Sequence, residues 1–255
     1  MISSFIKSLL MFFLVLGGLE YIAYDKSRVY LVSILLMVIS LAISISFVRK
    51  GRIESDRVAF AIFPILFLGS LVGFFVFIPG QLFRHIFAGL GSLVYAILTF
   101  YIGNLAAKRI KLDSKNRYYS LGEISILVFA FFSYTSVFGF YLFLNLPTWA
   151  LMIETILISA FMAYFHFCYN KIDLSQNFIF YSVFGLISCE VAWALSFWPT
   201  GFISRGMVLF ILFYVFAGLI KHYFHKTLDK KVIREHLAIA IIFLVLVLGT
   251  TKWTF

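Results

Sequence analysis

The sequence predicts an all-α membrane protein, a bundle of about nine transmembrane helices with its N-terminus inside. Three observations predict it. Hydrophobic residues make up 63% of the 255 and charged residues 13%, against about a quarter charged in a soluble domain. The charges fall between long apolar runs rather than alternating with them. Those runs approach the roughly 20 residues that a helix needs to cross a bilayer core about 30 Å thick. Open strands would strand backbone groups in lipid, and a closed barrel would show shorter, alternating runs.

In chain order the runs are Phe5–Tyr24, Val29–Val48, Val58–Ile78, Ile86–Ala106, Ile124–Leu146, Trp149–Tyr169, Phe178–Trp198, Met207–Tyr223 and Leu237–Thr251. The first carries Lys7 and Glu20, which shorten its uninterrupted apolar stretch. It resembles the start of a signal peptide, but no small-residue cleavage site follows Gly18, so it is expected to stay as an anchor. The last is short unless it begins near Val232. If either does not span, eight helices remain. Pro64 should bend the third helix, and Gly69 and Gly73 form a GxxxG pair in it. In the seventh, Gly185, Ser188, Ala192 and Ser196 form a small-residue stripe at helical spacing. No loop is long enough for a separate domain, so residues 1–255 read as one transmembrane domain, and no internal repeat is evident.

Alternate connections differ sharply in charge. With the N-terminus inside, the inner segments hold 16 of the 21 Lys and Arg residues. All loops are short, the regime in which positive residues mark the inner side. A miscounted span would scramble the alternation. The net charge of +10 therefore reads as topology and as contact with anionic headgroups at the inner loops, not as nucleic-acid binding. The composition, rich in Phe, Ile, Tyr and Lys, discourages reading the aromatic residues as a ligand cage. Cys168 and Cys189 lie in apolar runs roughly 15 Å apart in depth, too far for a disulfide.

Acidic residues inside the runs carry the functional signal. All five aspartates lie in loops or at span edges, as do Glu54 and Glu235, and Glu123 sits at a helix start. Glu20, Glu154 and Glu190 do not. Counted from the outer ends, they lie roughly 6, 8 and 12 Å deep, three carboxylates at a common outer level. A charge at mid-membrane costs at least about 2.5–3.5 kcal/mol, so each should be neutral, paired or facing water. Glu190, the deepest of the three on this count, lies about 140° around its helix from the small-residue stripe, with Trp193 one turn away. Candidate cation partners are Arg84, His85 and Arg205.

Other constellations are weaker. Thr155, Ser159 and His166 share one face of the sixth run, readable as a proton lane or as hydroxyls bonding their own helix. His222-x-x-His225 with Asp229 and His236 has zinc-like spacing, but Lys221, Lys226, Lys230 and Lys231 would repel a dication; no metal is expected. The common zinc-protease, serine-hydrolase and nucleotide motifs are absent. With one histidine well inside a span, haem lacks a second ligand, and no cofactor is expected.

Glu190-x-x-Trp193, the Phe197-Trp198-Pro199 turn and the basic segment Lys221–Arg234 resemble an uncharacterised family of small bacterial multi-pass proteins, over the last third of the chain. The resemblance implies a bacterial inner membrane and carries no activity. Three functions follow from the residues. One is a small transporter or proton/cation-coupled carrier binding its ion at Glu190 and Glu154. Another is a non-catalytic membrane subunit or assembly factor with a membrane-protein partner. The last is a membrane-embedded enzyme acting on lipid or glycan, with Glu190 as acid/base.

Overall fold

The computed structural model describes residues 2–50, 57–106, 117–170, 172 and 178–251. Nine α-helices are long and apolar enough to cross a membrane among these residues, the first and last included. They are α1 (Ile2–Tyr24), α2 (Val29–Lys50), α3 (Arg57–Val76), α4 (Gln81–Ala106), α5 (Arg117–Phe143), α6 (Thr148–Tyr169), α7 (Phe178–Ser196), α8 (Phe202–Phe224) and α9 (Lys230–Thr250). A short 3-10 turn, Lys26–Arg28, joins α1 to α2. The protein is an all-α membrane bundle. Much of the basic sequence on which the inside–outside count rests, 51–56, 107–116 and Lys171, lies outside the described residues, as do Glu54, Asp56, Asp113 and Asp173.

Several helices begin before their apolar runs do. The last starts at Lys230, seven residues ahead of Leu237, because the Asp229 carboxylate accepts the Val232 N–H at 2.8 Å and caps it. Helix α8 starts at Phe202 rather than Met207, and α4 at Gln81 rather than Ile86. Hydropathy registers the lipid-facing part of a helix; the backbone ladder continues into its polar end.

The chain divides into two compact units, Met1–Ser125 and Ile126–Phe255. In the first, α1 packs mainly on α4 and α2 on α3. Without a hydrophobic drive between helices in lipid, close packing and buried hydrogen bonds must hold them. Phe63, Phe67 and Tyr95 fill the centre, and the Ser40 and Tyr95 hydroxyls meet at 2.5 Å to join α2 to α4. The Gly69 half of the GxxxG pair faces α2, where an added Cβ would stand 3.0 Å from Met37 Cε. Both charges that made the first span doubtful are satisfied. Lys7 Nζ donates to Ser46 Oγ at 2.7 Å and sits 4.8 Å from the Phe47 ring centroid, and Glu20 meets His85, described below.

In the second unit α6 packs on α7 and α8 on α9. Phe184 and Phe216 stack at 4.0 Å across α7 and α8, and Tyr134 on α5 bonds Ser159 on α6 at 2.8 Å. Cys168 and Cys189 are both buried and free.

One turn recurs, once in each unit. Phe77-Ile78-Pro79-Gly80 leads to Arg84, and Phe197-Trp198-Pro199-Thr200-Gly201 leads to Arg205. In both, the first two N–H groups bond back three residues (3.1 and 3.2 Å; 3.3 and 3.1 Å), and the arginine N–H reaches the glycine carbonyl at 3.3 Å. Gly80 takes φ 79°, the left-handed region that glycine enters without penalty. The second copy, one residue longer, needs no positive φ at Gly201.

Candidate functional site

Antiparallel packing of α6 and α7 places two of the three intramembrane carboxylates in one unit. The small-residue stripe makes that packing possible: Gly185, Ser188 and Ala192 are buried, and an added Cβ on Gly185 would lie 3.7 Å from the Ile156 carbonyl oxygen. That contact sets the register. Glu154 lies two residues beyond Ile156 toward the α5–α6 end, and Glu190 five residues beyond Gly185 in the same direction. At about 1.5 Å per residue their levels differ by roughly 4.5 Å, less than one turn. Counted from the helix ends, Thr148 and Ser196, each carboxylate lies six residues in, so Glu190 is not set apart by depth as the apolar run ending at Trp198 suggested.

The two faces expected of α7 are present. Opposite the buried stripe, Leu186, Glu190, Trp193 and Phe197 lie at helical spacing, and all are exposed. Trp193 is 50% exposed and meets Phe197 edge-on at 5.4 Å. Glu154 is half-buried. Among the described residues neither Glu154 nor Glu190 has a hydrogen bond or ion pair.

The two arginines expected as cation partners serve the turns instead. Arg205 is 5% exposed; its Nε donates to the Thr200 carbonyl at 3.0 Å, one terminal nitrogen to Ser196 at 3.3 Å, and the other to Trp198. A helix leaves its last carbonyls without intrahelical donors, and the guanidinium's planar fork supplies several at once. Arg84 does a smaller version, its Nε donating to the Ile78 carbonyl at 2.9 Å. The arginine next to each short turn is spent on backbone oxygens.

Glu20 belongs to the other unit. His85 Nδ1 donates to its Oε2 at 2.6 Å, tying α1 to the start of α4, and both side chains are partly exposed, His85 at 54% and Glu20 at 38%. This is the one intramembrane carboxylate of the three with a partner among the described residues. His85 stood among the candidate cations in the sequence, but nothing in its spacing pointed to Glu20, 65 residues away.

The profile of a family described as protein of unknown function, DUF5656, matches residues 9–250. The chain belongs to this family. The match runs from α1 to α9, so the likeness extends far beyond the last third where residues suggested one. No curated protein and no solved structure matches the chain.

The polar lane of α6 in this DUF5656 chain is built into its packing. Thr155 donates to its own helix at Leu151 O (2.8 Å), Ser159 bonds Tyr134, and His166 Nε2 donates to the Ala217 carbonyl at 3.1 Å. The face shared by Thr155, Ser159 and His166 is thus buried and bonded. The histidine group near α9 is arranged likewise: His222 Nδ1 meets Thr227 Oγ1 at 2.9 Å, and His236 Nδ1 donates to Val232 O at 3.0 Å. Among the described residues no three or more His, Cys, Asp or Glu side chains converge as metal ligands would.

Proposed function

We propose that this membrane protein is a non-catalytic subunit that docks a partner transmembrane helix on α7, with Glu190 as the recognition group. The observation that carries the reading is a carboxylate standing exposed in an apolar stripe, without an ion pair or hydrogen bond among the described residues. Left facing hydrocarbon it costs at least about 2.5–3.5 kcal/mol. A partner helix bearing Arg or Lys at that level removes the cost, and Trp193 one turn away offers the same cation an aromatic face. Arg205, in the same unit as Glu190, is committed to carbonyls, which favours a cation from another protein. The bacterial inner membrane belongs to the same reading.

The test is photo-crosslinking in native membranes from positions 186 and 193, with the mass of the native complex measured alongside. We expect one discrete adduct to a membrane segment carrying Arg or Lys. Glu190→Leu should abolish it, and a Glu190→Arg exchange matched by a partner carboxylate should restore it. Adducts to lipid alone, with the mass unchanged in Glu190→Leu, would sink the idea.

A proton- or cation-coupled carrier is the second reading, favoured by the Glu20–His85 pair. A carboxylate and an imidazole 2.6 Å apart form a hydrogen bond along which a proton can pass. It ranks second because it needs an open cavity at Glu190, which stands instead on an outward stripe. Uptake into proteoliposomes driven by a pH gradient, lost in Glu20→Gln, would promote it. An enzyme reading lacks support, since no second group is bonded to Glu190 among the described residues.

A further inference from the structure

Helix α9 is the least embedded of the nine: of its described residues only Ala240 is buried. One of its faces is nevertheless shaped. Lys230, Ile233, Arg234, Leu237, Ala238 and Ile241 line a shallow, open depression of about 360 Å³, and steps of three and four residues put them on one side of the helix. The charges gather at one end and the apolar side chains run on from them. Ala238 leaves the depression, being the smallest of the six lining side chains.

Neighbouring acids do not neutralise those two cations. Glu235 pairs with Lys231 at 3.9 Å, and Asp229 caps the helix at Val232 N. Among the described residues neither Lys230 nor Arg234 has an ion pair or hydrogen bond. From Lys230 to Ile241 the groove runs roughly 16 Å along the helix, close to half of a core about 30 Å thick. It is one leaflet deep, with its cations where headgroups lie.

We infer that this groove holds one anionic phospholipid, its phosphodiester between Lys230 and Arg234 and an acyl chain laid over Ile233, Leu237, Ala238 and Ile241. Two cations one turn apart bracket a phosphate with charge-assisted hydrogen bonds. The apolar floor selects a lipid over free phosphate, because an ion alone leaves it unused.

The experiment is native mass spectrometry of the full-length chain from vesicles of phosphatidylcholine with or without phosphatidylglycerol, alongside photoactivatable phosphatidylglycerol. One retained phosphatidylglycerol and label at Leu237–Ile241 are expected. Removing both charges in Lys230→Gln/Arg234→Gln should weaken retention about 25-fold, at roughly fivefold per cation near an anionic surface. Ala238→Trp keeps both charges, fills the groove and should also release the lipid. The positions are exposed, and helical content by circular dichroism verifies folding; should a variant misfold, the labelling of the unmodified chain still decides. Equal retention of both lipids, indifference to Ala238→Trp, or label scattered over α9 would each overturn the proposal. Competition by millimolar inorganic phosphate would do the same, by showing a plain anion site.

Discussion

Gly206 on α8 has the tightest backbone approach among the glycines described. A Cβ there would stand 2.6 Å from Thr135 Cα and 2.7 Å from Thr135 N on α5. Carbon atoms rest at about 3.5–4.0 Å, so Gly206→Ala forces the two backbones apart by roughly 1 Å. No side-chain rotation relieves the clash, because the obstacle is main chain. Overpacking of this kind costs about 1–3 kcal/mol. Gly89 on α4 provides the control, since nothing lies within 4 Å of its added Cβ. There the same substitution only improves helix propensity, a gain of up to about 1 kcal/mol. The two variants should therefore move in opposite directions, separated by roughly 1–4 kcal/mol. Unfolding in one detergent, followed by tryptophan fluorescence, measures both. Equal stability of Gly206→Ala and Gly89→Ala would refute the claim that α5 and α8 meet at this glycine.

Three further outcomes are expected. Arg205→Ala should cost more than Arg84→Ala, because it removes three hydrogen bonds to carbonyls rather than one, although Trp198 O keeps the Thr200 N–H; Arg205→Lys should recover little, lacking the planar fork, and thermal unfolding of the three ranks them. Tyr134→Phe should lower stability by about 0.6–1.7 kcal/mol, the range for interhelical bonds in lipid, and Tyr134→Phe with Ser159→Ala should cost little more than either alone. Asp25, outside the spans, accepts the Ser27 hydroxyl at 2.6 Å and its backbone N–H at 3.0 Å, and these hold its pKa below the ordinary 3.8. A depressed folded pKa stabilises above the unfolded value and is lost as pH falls through the folded one. The small deficit of Asp25→Ala should be full at neutral pH and vanish well below 3.8.

Fold class was readable because lipid imposes it: span length, segregated charge and the absence of alternation leave helices as the one solution. Helix ends were not, because capping acts where hydropathy is silent. Asp229 before Val232 is a helix-start signal that the apolar count of Leu237–Thr251 passed over. The two faces of α7 followed from spacing, since one set of small residues can line only one side. The roles of the arginines did not follow. Charge alone points Arg205 at a carboxylate, whereas its chain geometry delivers it to three carbonyls of the turn just before it.

That the outer acids are not equivalent follows from the same energetics that singled them out. A carboxylate in a span must find a proton, a partner or water, and each of the three sits in a different environment. Glu20 has His85 at 2.6 Å, so its cost is met within α1–α4 and its presence needs no outside party. Glu154 is half-buried with no hydrogen bond or ion pair among the described residues, so an uncharged amide of the same shape fits its surroundings. Glu190 has neither shelter nor partner among the described residues, and it shares its stripe with Trp193 rather than with a hydroxyl or cation of this chain. Replacing all three with glutamine should therefore give three different results. Glu154→Gln should be nearly silent, Glu20→Gln should loosen α1 from α4 in the purified protein, and Glu190→Gln should leave the purified protein intact while weakening its assembly in the native membrane. Loss of stability of the isolated chain in Glu190→Gln would show that its partner had been internal all along.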